Sequence, residues 1–172
     1  MWQDNEQKKD WIKFFLSVAV IVGLGIGVYQ NSLQGQMLLD DGPSILMNEK
    51  IRAGWLSWPL LSSTPRPLLY LTFAINYALG GLNVIGYHVV NIAIHLLAAL
   101  VLFGVIRRTL LSPALAQKYG RRALGLALVS TLIWLVHPLQ TESVTYVFQR
   151  SESLMGLFYL LTLYGAIRFI EG

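Results

Sequence analysis

Asp40 and Asp41 are adjacent carboxylates placed shortly after the first apolar run of the chain. Two close carboxylates raise one pKa and can act as a general base or hold a metal. The plainer reading is a turn with solvated acids, because Gly42 and Pro43 follow directly. A second chemical stretch, HPLQTESVTYVFQRSESL, runs from His137 to Leu154 and sets His137, Glu142, Arg150 and Glu152 between two apolar segments. Ionisable residues beside or inside membrane spans are costly to keep there, so each is a functional-site candidate. The planar guanidinium of Arg150 can hold a phosphate bidentately; the plainer reading is an ion pair with Glu142 or Glu152. Arg66, between Pro65 and Pro67, is a further cation, with contact to a lipid phosphate as its plainer role. His88, Asn91 and His95 stand at i, i+3 and i+7, which puts them on one helix face. Their plainer role is hydrogen bonding between helices, and their spacing is not the i, i+4 of a helical zinc pair.

The elements that must position these groups are membrane helices. The chain has 172 residues, of which 55% are hydrophobic and 13% charged, with a mean hydropathy of +0.54. A soluble domain carries about 25% charged residues, so an all-α integral membrane protein is expected. There is no cysteine, which removes disulfides and thiolate metal sites. Residues 1–10 are polar. Residues 11–29 form the first expected span, read as a retained anchor because the apolar run is long for a signal peptide. Residues 30–83 form an external loop. It holds the acidic pair, a Trp-rich patch (residues 55–61) suited to the headgroup level, and a twelve-residue apolar stretch (residues 68–79) suited to an interfacial or re-entrant helix. Residues 84–106 form a second span, 107–122 a basic loop, 123–139 a third span, 140–152 a polar connector and 153–170 a fourth span. The GLGIG run (residues 23–27) lies inside an apolar span with no strand before it, so it reads as a helix-packing surface rather than a phosphate loop.

Nine of the 13 basic residues (Lys8, Lys9, Lys13, Arg107, Arg108, Lys118, Arg121, Arg122 and Arg168) fall on one side of these spans. Lys50, Arg52, Arg66 and Arg150 fall on the other. The positive-inside rule puts the first side in the cytoplasm. The pI near 9.5 is then a topology signal rather than a nucleic-acid footprint. With the N-terminus cytoplasmic, Asp40-Asp41 and the connector after His137 share the extracytoplasmic face. The compact loops suit a bacterial inner membrane, with the endoplasmic reticulum as the setting in a eukaryote.

The order of motifs completes the reading: DD after the first span, then RPLLYLTFAINYALGGL, GYHVVNIAIHLL, HPLQTESV and QRSESL. Over roughly residues 37–165 this order resembles the N-terminal part of GT-C glycosyltransferases that carry tetratricopeptide repeats, the transmembrane O-mannosyltransferase-like group. The resemblance implies a polyprenyl- or dolichyl-phosphate sugar donor, an extracytoplasmic site, and inverting transfer to a hydroxyl acceptor, usually Ser or Thr of a protein. It implies Asp40 or Asp41 as catalytic base, with Asp40 favoured. Arg150 is expected at the donor phosphate, supported by Arg66, His88 and His137, with Glu142 and Glu152 at the same site. No cofactor is assigned; a divalent metal on Asp40, Asp41, Glu142 and Glu152 stays open. Relatives of this kind continue into further spans and soluble repeats, so the chain is expected to be incomplete alone, as a truncated or split gene product. The alternative is a non-catalytic membrane scaffold or partner-binding subunit derived from that fold. A small transporter would need polar residues through the full membrane depth, and Leu96 to Ile106 has none.

Overall fold

The computed structural model describes residues 2–37, 41–52, 62 and 64–171. The expected base Asp40 and the Trp-rich patch at residues 55–61 lie outside the described residues. All described elements are helical: α1 (Trp2–Tyr29), α2 (Glu49–Arg52), α3 (Pro67–Gly80), α4 (Val84–Leu111), α5 (Ala116–Tyr119), α6 (Ala123–Leu135), α7 (Thr141–Thr145) and α8 (Arg150–Glu171). Tight turns at Gln30–Gln34, Gly42–Leu46, Gly120–Arg122 and Pro138–Gln140 join them. α1, α4 and α8 are each long and apolar enough to cross a membrane, and α6 with α7 forms a bent fourth candidate. The protein is an all-α membrane protein.

α4 is the axis of the bundle. Its 28 residues extend about 42 Å, and α1, α6 and α8 all pack on it. Its buried positions (among them Tyr87, His88, Asn91, Ile94, His95, Ala98, Ala99 and Phe103) cover about half of the helix circumference, while Val89, Ala93 and Leu97 form an exposed stripe on the opposite side. Lipid tails are as apolar as leucine, so association here rests on close packing and interhelical hydrogen bonds. Small residues permit the close packing. Ala99 and Ala127 are fully buried beside Ile21, Phe103 and Leu135. A Cβ on Gly25 would meet the side chains of Leu96 and Leu135, whereas Gly23 and Gly27 face open space. Of the GLGIG run, then, Gly25 makes a close helix contact.

Local chemistry sets the helix ends. Pro67 opens α3 at its first turn, where a missing N–H costs nothing. Gly81 closes it at φ 60°, a backbone region that favours glycine. Asn83 then caps α4, its side chain accepting from the Ile85 amide at 3.1 Å. The Asn76 amide donates to the Gly86 carbonyl at 3.1 Å and the Tyr87 hydroxyl to the Gly81 carbonyl at 3.1 Å, tying α3 to the start of α4. α3 is therefore a short helix held against the bundle, with Leu69, Phe73, Ala74 and Asn76 buried.

α6 ends at Leu135, before His137-Pro138, and the chain turns by 56° there. Proline has no N–H and forces the preceding residue out of the helical region; His137 sits at φ −65°, ψ 133°. The break frees the Leu135 carbonyl, and two groups take it. The Tyr29 hydroxyl donates at 3.0 Å and His95 Nε2 lies at 3.1 Å, which fixes the proton of His95 on Nε2. The histidine ring also stacks on Trp134 (4.8 Å) and meets Tyr29 edge-on (5.3 Å). The end of α1, the start of α4, the end of α6 and the start of α8 thus meet at one polar end. The other end carries Arg107, Arg108, Lys118, Arg121 and Arg122.

Candidate active site

At the polar end, Arg150 is fully buried and is the largest side chain so enclosed among the described residues. Its Nε donates to Asn91 Oδ1 at 2.7 Å, Nη1 to Thr72 Oγ1 at 3.0 Å and Nη2 to the Tyr87 carbonyl at 2.9 Å. The Phe73 ring lies 4.6 Å from the guanidinium carbon, within cation–π range. A buried charge is tolerated only when its donors are matched, and three acceptors from α3 and α4 provide the match. All three are neutral. The ion pair with Glu142 or Glu152 therefore does not form, and both acids are exposed.

Asn91 relays this order to the connector before α8. Its Nδ2 faces the carbonyls of Val144 (3.3 Å), Tyr146 (3.0 Å) and Val147 (3.4 Å). Ser153 Oγ closes the same segment by donating to the Ser143 carbonyl at 2.8 Å. Asp41 joins it from the first loop: the Phe148 amide donates to Asp41 Oδ1 at 2.7 Å, and Asp41 is buried. A short, charge-assisted bond of this kind is about twice as strong as a neutral one. The first loop and the α7–α8 connector are thereby stitched together through residues 107 positions apart in sequence.

His88 is held differently from Arg150, Asn91 and Asp41. It is fully buried and faces the Gly35 backbone, yet neither ring nitrogen makes a hydrogen bond of good geometry among the described residues. It presses on the first loop, where a Cβ on Gly35 would lie 3.1 Å from its Nε2. Leaving buried donors or acceptors unmade costs about 1–3 kcal/mol each, and such exceptions in a native site call for an explanation. Asn76 Oδ1 is a second buried atom without a partner.

The sequence-expected residues divide into two groups. Asp41, His88 and Arg150 converge with Asn91 at the polar end. Arg66, His137, Glu142 and Glu152 are exposed. Arg66 precedes α3, about 9 Å along the helix axis from Thr72. His137 is used as a cap, its Nδ1 accepting from the Leu139 amide at 3.3 Å. Among the described residues, no group of three or more His, Asp or Glu is placed to share a metal. Sequence reasoning missed Thr72, Phe73 and the Tyr87 carbonyl as partners of Arg150. Thr72 and Asn76, polar at i and i+4 in an otherwise apolar helix, were the available signal.

No protein-family model matches the chain, and no solved structure matches it significantly. Curated relatives do. The protein O-mannosyl-transferase TMTC1 of Homo sapiens is 32% identical over 160 residues, covering 84% of this chain and 17% of its own. The human protein O-mannosyl-transferase TMTC4 is 32% identical over 170 residues, covering 88% and 23%. The protein O-mannosyl-transferase Tmtc1 of Drosophila melanogaster is 31% identical over 152 residues, covering 80% and 16%. The chain spans only about a fifth of the length of such relatives. Over the stretch they share, the chain belongs to the family of these protein O-mannosyl-transferases.

Proposed function

We propose that the chain forms the N-terminal membrane module of a protein O-glycosyltransferase that uses a polyprenyl- or dolichyl-phosphate sugar. The observation that carries this reading is the homology to proteins named O-mannosyl-transferases across more than four-fifths of the chain. The buried polar end supports it, because membrane proteins keep ionisable groups at depth chiefly for function. In this reading the polar end faces the periplasm or lumen, and a mannosyl group passes to a Ser or Thr hydroxyl of a protein.

The reaction needs a base at the acceptor and a cation at the leaving group. Asp40 takes the hydroxyl proton as the acceptor oxygen bonds to the anomeric carbon. The bond from that carbon to the donor phosphate breaks with inversion, and the lipid phosphate leaves with the electron pair. Asp41 is a positioning residue, because its Oδ1 holds the Phe148 amide. Arg66 meets the donor phosphate from solvent. Arg150, fully enclosed, is a positioning residue that fixes Asn91, while His88 offers a ring nitrogen to donor or acceptor. His137, Glu142 and Glu152 line the outer rim.

The test is a transfer assay on the full-length gene product with polyprenyl-phosphate mannose and a Ser/Thr peptide. Mannosyl peptide should form with release of the lipid phosphate. A folded full chain that transfers nothing from any lipid-phosphate sugar would leave the scaffold reading in its place.

A further inference from the structure

The basic end holds a groove that the sugar-transfer reading does not use. It is a cavity of about 730 Å3 between α1, α4 and α8, lined along its depth by Phe14, Val18, Leu97, Leu100 and Leu161. Beside it a Cβ on Gly104 would sit 3.0 Å from the Tyr164 ring, so the glycine lets α4 and α8 meet there. Asp10, Arg107 and Arg108 stand among the lining residues. Asp10 is matched by Lys13 at 3.6 Å. Arg108 is matched by Glu171 and by the Tyr164 hydroxyl. Arg107 is different: it lies 5.5 Å over the Phe14 ring and has no hydrogen bond or ion pair among the described residues. The loop that follows adds Lys118, Arg121 and Arg122, with no acid between positions 107 and 122.

The mouth therefore calls for an anion and the depth for an apolar chain. A free phosphate would leave the apolar lining wet, at a cost of about 25 cal/mol per Å2. A neutral lipid would leave Arg107 unmatched. We propose that the groove binds an anionic phospholipid, with one acyl chain between α1, α4 and α8 and its phosphate on Arg107. Trp11, 56% exposed at the same mouth, sits at headgroup level, where tryptophan is favoured. The proposal stands independently of the sugar chemistry.

The test is native mass spectrometry of the full chain from nanodiscs of equimolar phosphatidylglycerol and phosphatidylcholine with identical acyl chains. Phosphatidylglycerol should be retained over phosphatidylcholine. Arg107→Gln should lower that preference about fivefold, the effect of one basic residue at an anionic surface. Leu97→Trp, which fills the groove from a half-exposed position, should lower retention of both lipids. An unchanged preference in Arg107→Gln would overturn the proposal. So would a photo-crosslinker at position 97 that labels a later segment of the chain instead of lipid, or equal displacement by inorganic phosphate.

Discussion

Arg150 and Arg107 lie at opposite ends of the same bundle and are held in opposite ways. Arg150 is fully enclosed, with three nitrogens on neutral acceptors of α3 and α4. Arg107 is half-buried and lies over the Phe14 ring, with no hydrogen bond or ion pair among the described residues. Burial without matched donors is prohibitive, so the first arginine is tied to a fixed geometry. The second keeps its charge open to whatever lies outside. One end of the molecule thus uses charge to hold a shape, and the other uses it to present a surface.

This difference breaks first if Arg150 is removed. Arg150→Ala leaves Asn91 Oδ1 buried without a donor, at about 1–3 kcal/mol, and takes a second donor from the Tyr87 carbonyl, which keeps its helix bond. We expect a loss of roughly 3–5 kcal/mol, the range for breaking a buried charge network, read from thermal unfolding in detergent. Arg150→Lys should recover little, because an ammonium cannot match three acceptors in a fork. Arg107→Gln should leave unfolding within about 0.5 kcal/mol; a larger loss would mean that the two ends are alike.

The two histidines of α4 sharpen the comparison within the polar end. His95 is bonded to the Leu135 carbonyl and stacked on Trp134, so His95→Leu should cost about 1–2 kcal/mol. His88 has no such bond to lose, so His88→Leu should change stability by less than about 1 kcal/mol while lowering sugar transfer at least tenfold. Stability loss in both variants, with transfer intact, would make His88 a packing residue. At the rim, Glu152→Gln should shift unfolding by no more than about 0.5 kcal/mol, the smallest effect in the series.

The sequence displays the architecture more readily than the site. Apolar length marks the long helices, although α4 runs past the expected end at Ile106 to Leu111, because no breaker appears before Ser112-Pro113. α8 begins at Arg150 rather than Ser153, with its first turn still in the polar connector. The i, i+3, i+7 spacing places His88, Asn91 and His95 together, and all three are buried. Their individual roles are not legible from that spacing. Those roles depend on which carbonyl a proline break frees at Leu135, and on backbone groups at Tyr87 and Phe148 that carry no side-chain signature. The acids nearest Arg150 in sequence suggested an ion pair. The structure satisfies the arginine with Asn91, Thr72 and a carbonyl instead, leaving Glu142 and Glu152 exposed.

The division of labour between the two aspartates is the most exposed claim. Asn at position 41 keeps an Oδ1 for the Phe148 amide, whereas Asn at position 40 keeps no base. Transfer rates of Asp40→Asn and Asp41→Asn in the full-length protein should therefore separate. Asp40→Asn should fall about 100-fold or more, the scale of a lost general base, and Asp41→Asn should stay within about tenfold of the parent, since a hydrogen-bond acceptor is retained. A dead Asp41→Asn beside an active Asp40→Asn would contradict the account.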